Sequence, residues 1–218
     1  MGVQYRGCSR LYYAIETEAS DGTVSYGTVK QLAPVKSVSR DISSDNEAIY
    51  ADNVVQARVY GANQVTRSFE TIKIDADVVA ELLGDTTIQV GDVYARSTKP
   101  DGSSRPYIAI GYALHDGDVD QPCEIVWAYH CKVNSISLSS NTIDDGTGSE
   151  GQTIEIVNVA PKKAWTTTNG RELDFCLPIN DDNKSLVDTF FAQVVTPDNA
   201  STILTVTPAE TPAVNGQE

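Results

Sequence analysis

"RPYIAIGYALHD" (105–116) and "CEIVWAYHCKVNSISL" (123–138) flank the turn-like "HDGDVDQP" (115–122). In the first run Ile108, Ile110 and Tyr112 alternate onto one face; in the second Ile125, Trp127, Tyr129 and Cys131 do the same. Side chains of a strand point alternately to opposite faces. β-Branched and aromatic residues at this density mark two long neighbouring strands at the centre of a sheet. Pro106 and Pro122 stand at the strand starts, where a missing N–H costs least.

Outward from this pair the same grammar recurs. "TIEIVNVAP" (153–161) places Ile154, Ile156 and Asn158 on one face. "RLYYAIE" (10–16) reads as the first strand, and Asp21-Gly22 within "SDGT" (20–23) is a hairpin signal. "VSYGTVKQLA" (24–33) follows, then Pro34 and "VKSVSRDIS" (35–43), where Val35, Val38 and Ile42 break strict alternation and leave the register open. In "NQVTRSFETIKID" (63–75) Ile72 and Ile74 share a face, with Val65 and Phe69 on the other unless a bulge intervenes. "STILTVT" (201–207) reads as a last strand.

Two segments change period. "DADVVAELLG" (75–84) predicts a short helix, with Asp75 or Asp77 at its start, Val78, Val79, Leu82 and Leu83 on one side and Gly84 closing it. "DDNKSLVDTFFAQVV" (181–195) repeats Leu186, Val187, Phe190, Phe191 and Val194 at helical spacing, capped by Ser185 or Asp181. The expected fold is mainly β: an antiparallel β-sandwich or barrel-like domain with one short flanking helix and a carboxy-terminal amphipathic helix. It occupies 1–206 as a single domain, and 207–218 reads as a disordered tail. Tyr12, Leu82, Tyr107, Ile110, Trp127, Tyr129, Phe190 and Phe191 are the expected core packing.

Thirty acids oppose sixteen bases in 218 residues, a formal charge of −14. Tight phosphate binding needs clustered Lys and Arg, so this balance speaks against a nucleic-acid grip and for repulsion and solubility. The four cysteines, Cys8, Cys123, Cys131 and Cys176, form no CxxC pair, and reduced thiols are expected. Met1–Arg6 lacks a leader's apolar stretch, and no run of about eighteen apolar residues exists to span a bilayer.

Chemistry-bearing motifs are scarce. His130 beside Cys131, with Cys123 upstream, matches no zinc spacing, and neighbouring strand residues point apart. No GxSxG elbow supports either histidine as a base. Asp144-Asp145 and Asp181-Asp182 fall in wet, turn-like segments without a calcium-loop pattern. "GDTTIQVGD" (84–92) lacks the Lys and helix of a phosphate cradle. No catalytic residue, metal site or cofactor is expected.

One stretch resists an ordinary reading. "VSRDISSDNEAIYADNVV" (38–55) sets Ile49, Tyr50, Val54 and Val55 among Asp41, Asp45, Glu47, Asp52 and Asn53. Apolar groups inside an acidic loop either fold back onto their own domain or are kept for a neighbouring copy of the chain.

Taken in order, "YYAIETEASDGTVSYGTVKQLA" (12–33), the acidic loop ending "IYADN" (49–53), "IDADVVAELLG" (74–84), "RPYIAIGYAL" (105–114), "EIVWAYHCKV" (124–133), "SEGQTIEIVNVAP" (149–161) and "LVDTFFAQVV" (186–195) resemble the major tail proteins of long-tailed bacteriophages, of the phi-thirteen type. The resemblance covers about residues 9–197; the connections "TKPDGSSRPY" and "HDGDVDQPCE" and the end from 198 have no clear counterpart. It implies a tail-tube β-sandwich closing into hexameric rings, stacked into a hollow, non-contractile tube that conducts DNA. It implies a virion tail location after synthesis in the host cytoplasm. Implied partners are other copies, then tape measure, tail terminator and distal tail proteins, with no membrane and no specific DNA binding. The 41–55 segment would make the contact between rings, and acids would line the bore. The reading from another class is an immunoglobulin-like receptor- or carbohydrate-binding module on a virion surface.

Overall fold

The computed structural model describes residues 5–117, 120–139 and 151–205. Asp144-Asp145 and the tail at 207–218 lie outside these residues.

The strands, in chain order, are β1 (Gly7–Glu18), β2 (Val24–Tyr26), β3 (Lys30–Gln31), β4 (Val35–Ser43), β5 (Asn46–Ala51), β6 (Val54–Tyr60), β7 (Gln64–Thr71), β8 (Thr86–Val90), β9 (Val93–Ser97), β10 (Ile108–His115), β11 (Glu124–Leu138), β12 (Gln152–Asn158) and β13 (Asp174–Pro178). Three α-helices, α1 (Ala76–Leu83), α2 (Leu186–Ala192) and α3 (Ala200–Ile203), and a 3-10 turn at Gly102–Ser104 complete the described elements. Nine strands form one antiparallel sheet in the order β2-β1-β10-β11-β12-β7-β4, with β3 on β1 and β13 on β11. The sheet curls until β4 approaches β1 without pairing with it, which makes the fold barrel-like. The fold is mainly antiparallel β, as the strand pattern predicts.

β10 and β11 occupy the centre of the sheet. Ile108, Ile110 and Tyr112 share the inner face, packed with Leu11, Tyr13, Phe69, Ile154, Ile156 and, from α1, Val79 and Leu82. Ile125, Trp127 and Tyr129 share the outer face, covered by Val187, Phe190 and Phe191 of α2 and by Val194 and Val195 after it. Cys131 does not stay with them: it lies on the inner face beside Val126 and Ala128. The cause is His130, whose φ of 47° puts a bulge in β11. At that bulge β11 exchanges its neighbour on one edge, pairing with β13 over Glu124–Ala128 and with β12 over Cys131–Leu138.

Other departures are local. β1 starts at Gly7 and bulges around Arg10 (φ 57°). A register shift between Val35 and Ser37 accounts for the uneven apolar spacing of β4. β7 ends at Thr71, leaving Ile72 exposed and Ile74 buried. Residues 200–203 form the short helix α3 and not the expected strand. Of the expected core, Leu82, Ile110, Trp127, Tyr129, Phe190 and Phe191 are buried, whereas Tyr12 and Tyr107 are half-buried. Tyr12 lies against Phe191, and Tyr107 stacks on His130 at 3.9 Å.

α1 ends at Gly84 in the left-handed conformation (φ 66°), where any Cβ would meet the Ser104 carbonyl at 2.4 Å. The helix is held by Glu81, which accepts from the Tyr13 hydroxyl at 2.6 Å and pairs with Lys30 at 2.7 Å. α2 is fixed by the Trp127 indole N–H, which donates to the Phe190 carbonyl at 2.8 Å.

Candidate assembly surface

The 41–55 segment is not a loop. Asp41 belongs to β4, opposite Thr66 of β7. From Asn46 the chain leaves the main sheet and forms a separate ribbon, β5–β6, joined by Asp52-Asn53. Both turn residues have positive φ (52° and 61°), as a two-residue type I′ turn requires, and Asp and Asn tolerate that region better than most residues. The Gly61 N–H donates to the Asp45 carbonyl at 2.7 Å and closes the base.

Register sorts the ribbon into two faces. Glu47, Ile49 and Ala51 lie opposite Val59, Ala57 and Val54 on one face, which is aliphatic except at its base. Asn46, Ala48 and Tyr50 lie opposite Tyr60, Arg58 and Val55 on the other, with a bulge at Gln56. All of β6 is exposed, and all of β5 except half-buried Ala48. Ile49 is 48% and Tyr50 67% exposed, so neither folds back onto its own domain. The structure therefore gathers Glu47, Ile49 and Val54 on one face, Tyr50 and Val55 on the other, Asp52 and Asn53 at the tip and Asp45 at the base; Asp41 stays in the sheet.

A second ribbon was not legible as such. β8–β9 pairs Thr86–Val90 with Val93–Ser97 around Gly91-Asp92, with Gly91 at φ 60°. Ile88, Ala95, Val90 and Val93 share one face, Gln89, Tyr94, Thr87 and Arg96 the other. Every residue of it is exposed, Val93 at 66%. Its base is tied by Asp85, which accepts from the Lys99 backbone N–H at 3.0 Å and pairs with Arg96 at 3.4 Å. The Gly-Asp pair between alternating β-branched residues was the available signal.

His115, His130 and Cys131 are engaged in structure. His130 Nδ1 lies 2.5 Å from Glu16 Oε1, both buried. His115 Nε2 lies 2.8 Å from the Ser9 hydroxyl. Burial pushes the Cys131 thiol up to about 12, with Glu16 and Asp174 adding to the shift and Arg67 opposing it. Arg67, fully buried, donates to Asn158 and Asp174 and to the Tyr112 hydroxyl at 3.3 Å. Among the described residues no group of three His, Cys, Asp or Glu is placed to hold a metal ion. A groove of about 570 Å³ between β4 and the start of β1 is lined by Tyr5, Arg6, Lys36, Arg40, Tyr112 and Glu124. Its charges are partly used within the chain: Arg40 pairs with Asp174 at 2.8 Å and Lys36 with Glu70 at 3.7 Å. No helix among the described residues is long and apolar enough to cross a membrane.

No protein-family model and no curated protein matches the chain. Among solved structures, the chain is similar to one from an extracellular contractile injection system, the PVC sheath-tube complex in its extended state. The identity is 13% over 78% of this chain and 90% of that one, with a TM-score of 0.41. It is also similar to a chain of the anti-feeding prophage cap, a tube-terminating cap, at 12% identity over 82% and 95% of the two chains, with a TM-score of 0.43.

Proposed function

We propose that this chain is a non-catalytic structural subunit that assembles with identical copies into stacked rings, forming the tube of a phage-type tail. The observation that carries this reading is the β5–β6 ribbon, which stands off the sheet with Ile49, Tyr50, Val54, Val55, Val59 and Tyr60 exposed. An isolated two-stranded ribbon is marginal in water, and a large contiguous exposed apolar surface marks an interaction site. A ribbon that gains its cover from the next copy resolves both.

The resemblance to phage major tail proteins supports a hexameric ring and a tube that conducts DNA, with tape measure, terminator and distal tail proteins at its ends and the virion tail as its location. The charge fits that role. A bore lined by carboxylates offers phosphates no counter-charge and releases no counterions, so DNA slides.

Negative-stain microscopy of the purified chain over a concentration series tests the reading. Stacked rings or hollow tubes are expected. Lone particles at every concentration would overturn it and favour a monomeric surface-binding module.

A further inference from the structure

β7 gives the two ribbons a direction. β5–β6 adjoins its first residues, where Gln64 pairs with Ser43. α1 and then β8–β9 follow its last residue, Thr71. The base of β8–β9 stays at that end: Arg96 and Thr98 line one cleft with Ile136, Leu138 and Gln152, and Gln152 pairs with Thr71. One molecule thus carries two uncovered ribbons near opposite ends of one strand.

We propose that the aliphatic face of β8–β9 receives the aliphatic face of β5–β6 from a second copy, joined head to tail. The proposal rests on the assembly reading above and names the surface that answers the β5–β6 ribbon. Three features support it. The faces match in extent, each presenting three cross-strand pairs: Glu47/Val59, Ile49/Ala57 and Ala51/Val54 against Thr86/Ser97, Ile88/Ala95 and Val90/Val93. They match in relief, because Ala57 and Ala51 leave notches on opposite strands of one ribbon, and the other presents Ile88, Val90 and Val93 as knobs; interdigitation of large and small side chains is what dry sheet-on-sheet contact requires. They match in placement, because unlike surfaces at opposite ends make a heterologous contact that repeats, whereas like-with-like contact closes a dimer.

The middle rungs, Ile49/Ala57 and Ile88/Ala95, meet whichever way the ribbons run. Ala57→Cys and Ala95→Cys are therefore prepared separately, mixed under assembly conditions and treated with a short bis-maleimide, with the unsubstituted chain as the background for its own thiols. A cross-linked dimer specific to the mixture is expected. Ile88→Asp is expected to raise the concentration needed for assembly at least about tenfold while far-UV circular dichroism stays unchanged, since Ile88 lies in solvent. Cross-links within each variant alone, with none specific to the mixture, would overturn the contact in favour of like-with-like pairing. Stacked assemblies with no such cross-link would overturn this contact and leave the assembly reading standing. Absence of assembly by the unsubstituted chain would overturn both.

Discussion

Gly111 and Trp127 face each other across the β10–β11 ladder, and a Cβ on Gly111 would lie 2.9 Å from two atoms of the indole ring. The ring has no room to retreat, because Trp127 is fully buried and its N–H is held by the Phe190 carbonyl. Gly111→Ala is expected to destabilise the chain by about 1–3 kcal/mol through overpacking. Urea unfolding followed by tryptophan fluorescence measures it.

Asp174 answers two guanidinium groups, that of buried Arg67 and that of Arg40. Asp174→Ala leaves the Arg67 charge with neutral partners, Asn158 and Tyr112. Breaking a buried pair from one side costs about 3–5 kcal/mol. Asp174→Asn, which keeps an acceptor oxygen, is expected to cost less. The two midpoints in one urea series check the order.

Partial burial pushes the Glu81 carboxyl up, but hydrogen bonds from Lys30 and Tyr13 outweigh it and hold the group below its ordinary value. A depressed carboxylate stabilises the fold above its unfolded value, near 4.3, and that contribution is lost as pH falls through the lower folded value. Glu81→Gln is therefore expected to melt below the unsubstituted chain at neutral pH, by an amount on the order of 1 kcal/mol or less given the exposure of the pair. The gap should close in acid. Melting curves between neutral pH and pH 3 test the sign.

Replacing residues 46–60 by a two-residue turn is expected to leave the sheet folded, since no residue of β5–β6 is buried. Assembly should be lost. Sedimentation velocity reads both from one sample: a compact monomer at every concentration is expected, and fast-moving stacks would count against the ribbon's role.

The strand pattern was legible where both faces of the sheet are buried. β10 and Ile125–Tyr129 of β11 carry apolar side chains on both faces, each meeting a packed layer, and β12 alternates because Ile154 and Ile156 face the core while Glu155 does not. The helix at 76–83 was legible from Asp75 to Gly84, since its punctuation is local. Reading failed where the backbone breaks period: Cys131 changed face because His130 takes a positive φ, which no residue type announces. It failed again at Ser201–Ile203, whose β-branched residues favour a strand but follow Asn199, which accepts from the Thr196 N–H and starts a helical turn. The ribbons were half-legible. Asp52-Asn53 is a weaker turn signal than Asn-Gly or Asp-Gly, and Ile88, Val90 and Val93 alternate on a face that the chain itself does not bury.

Because β5–β6 and β8–β9 depart from opposite ends of β7, a stack joined through them has polarity. Such a stack would display an open donor ribbon at one terminus and an open acceptor at the other. Elongation at the two termini would then be chemically different, and a factor shaped to stop growth at one would have nothing to recognise at the other.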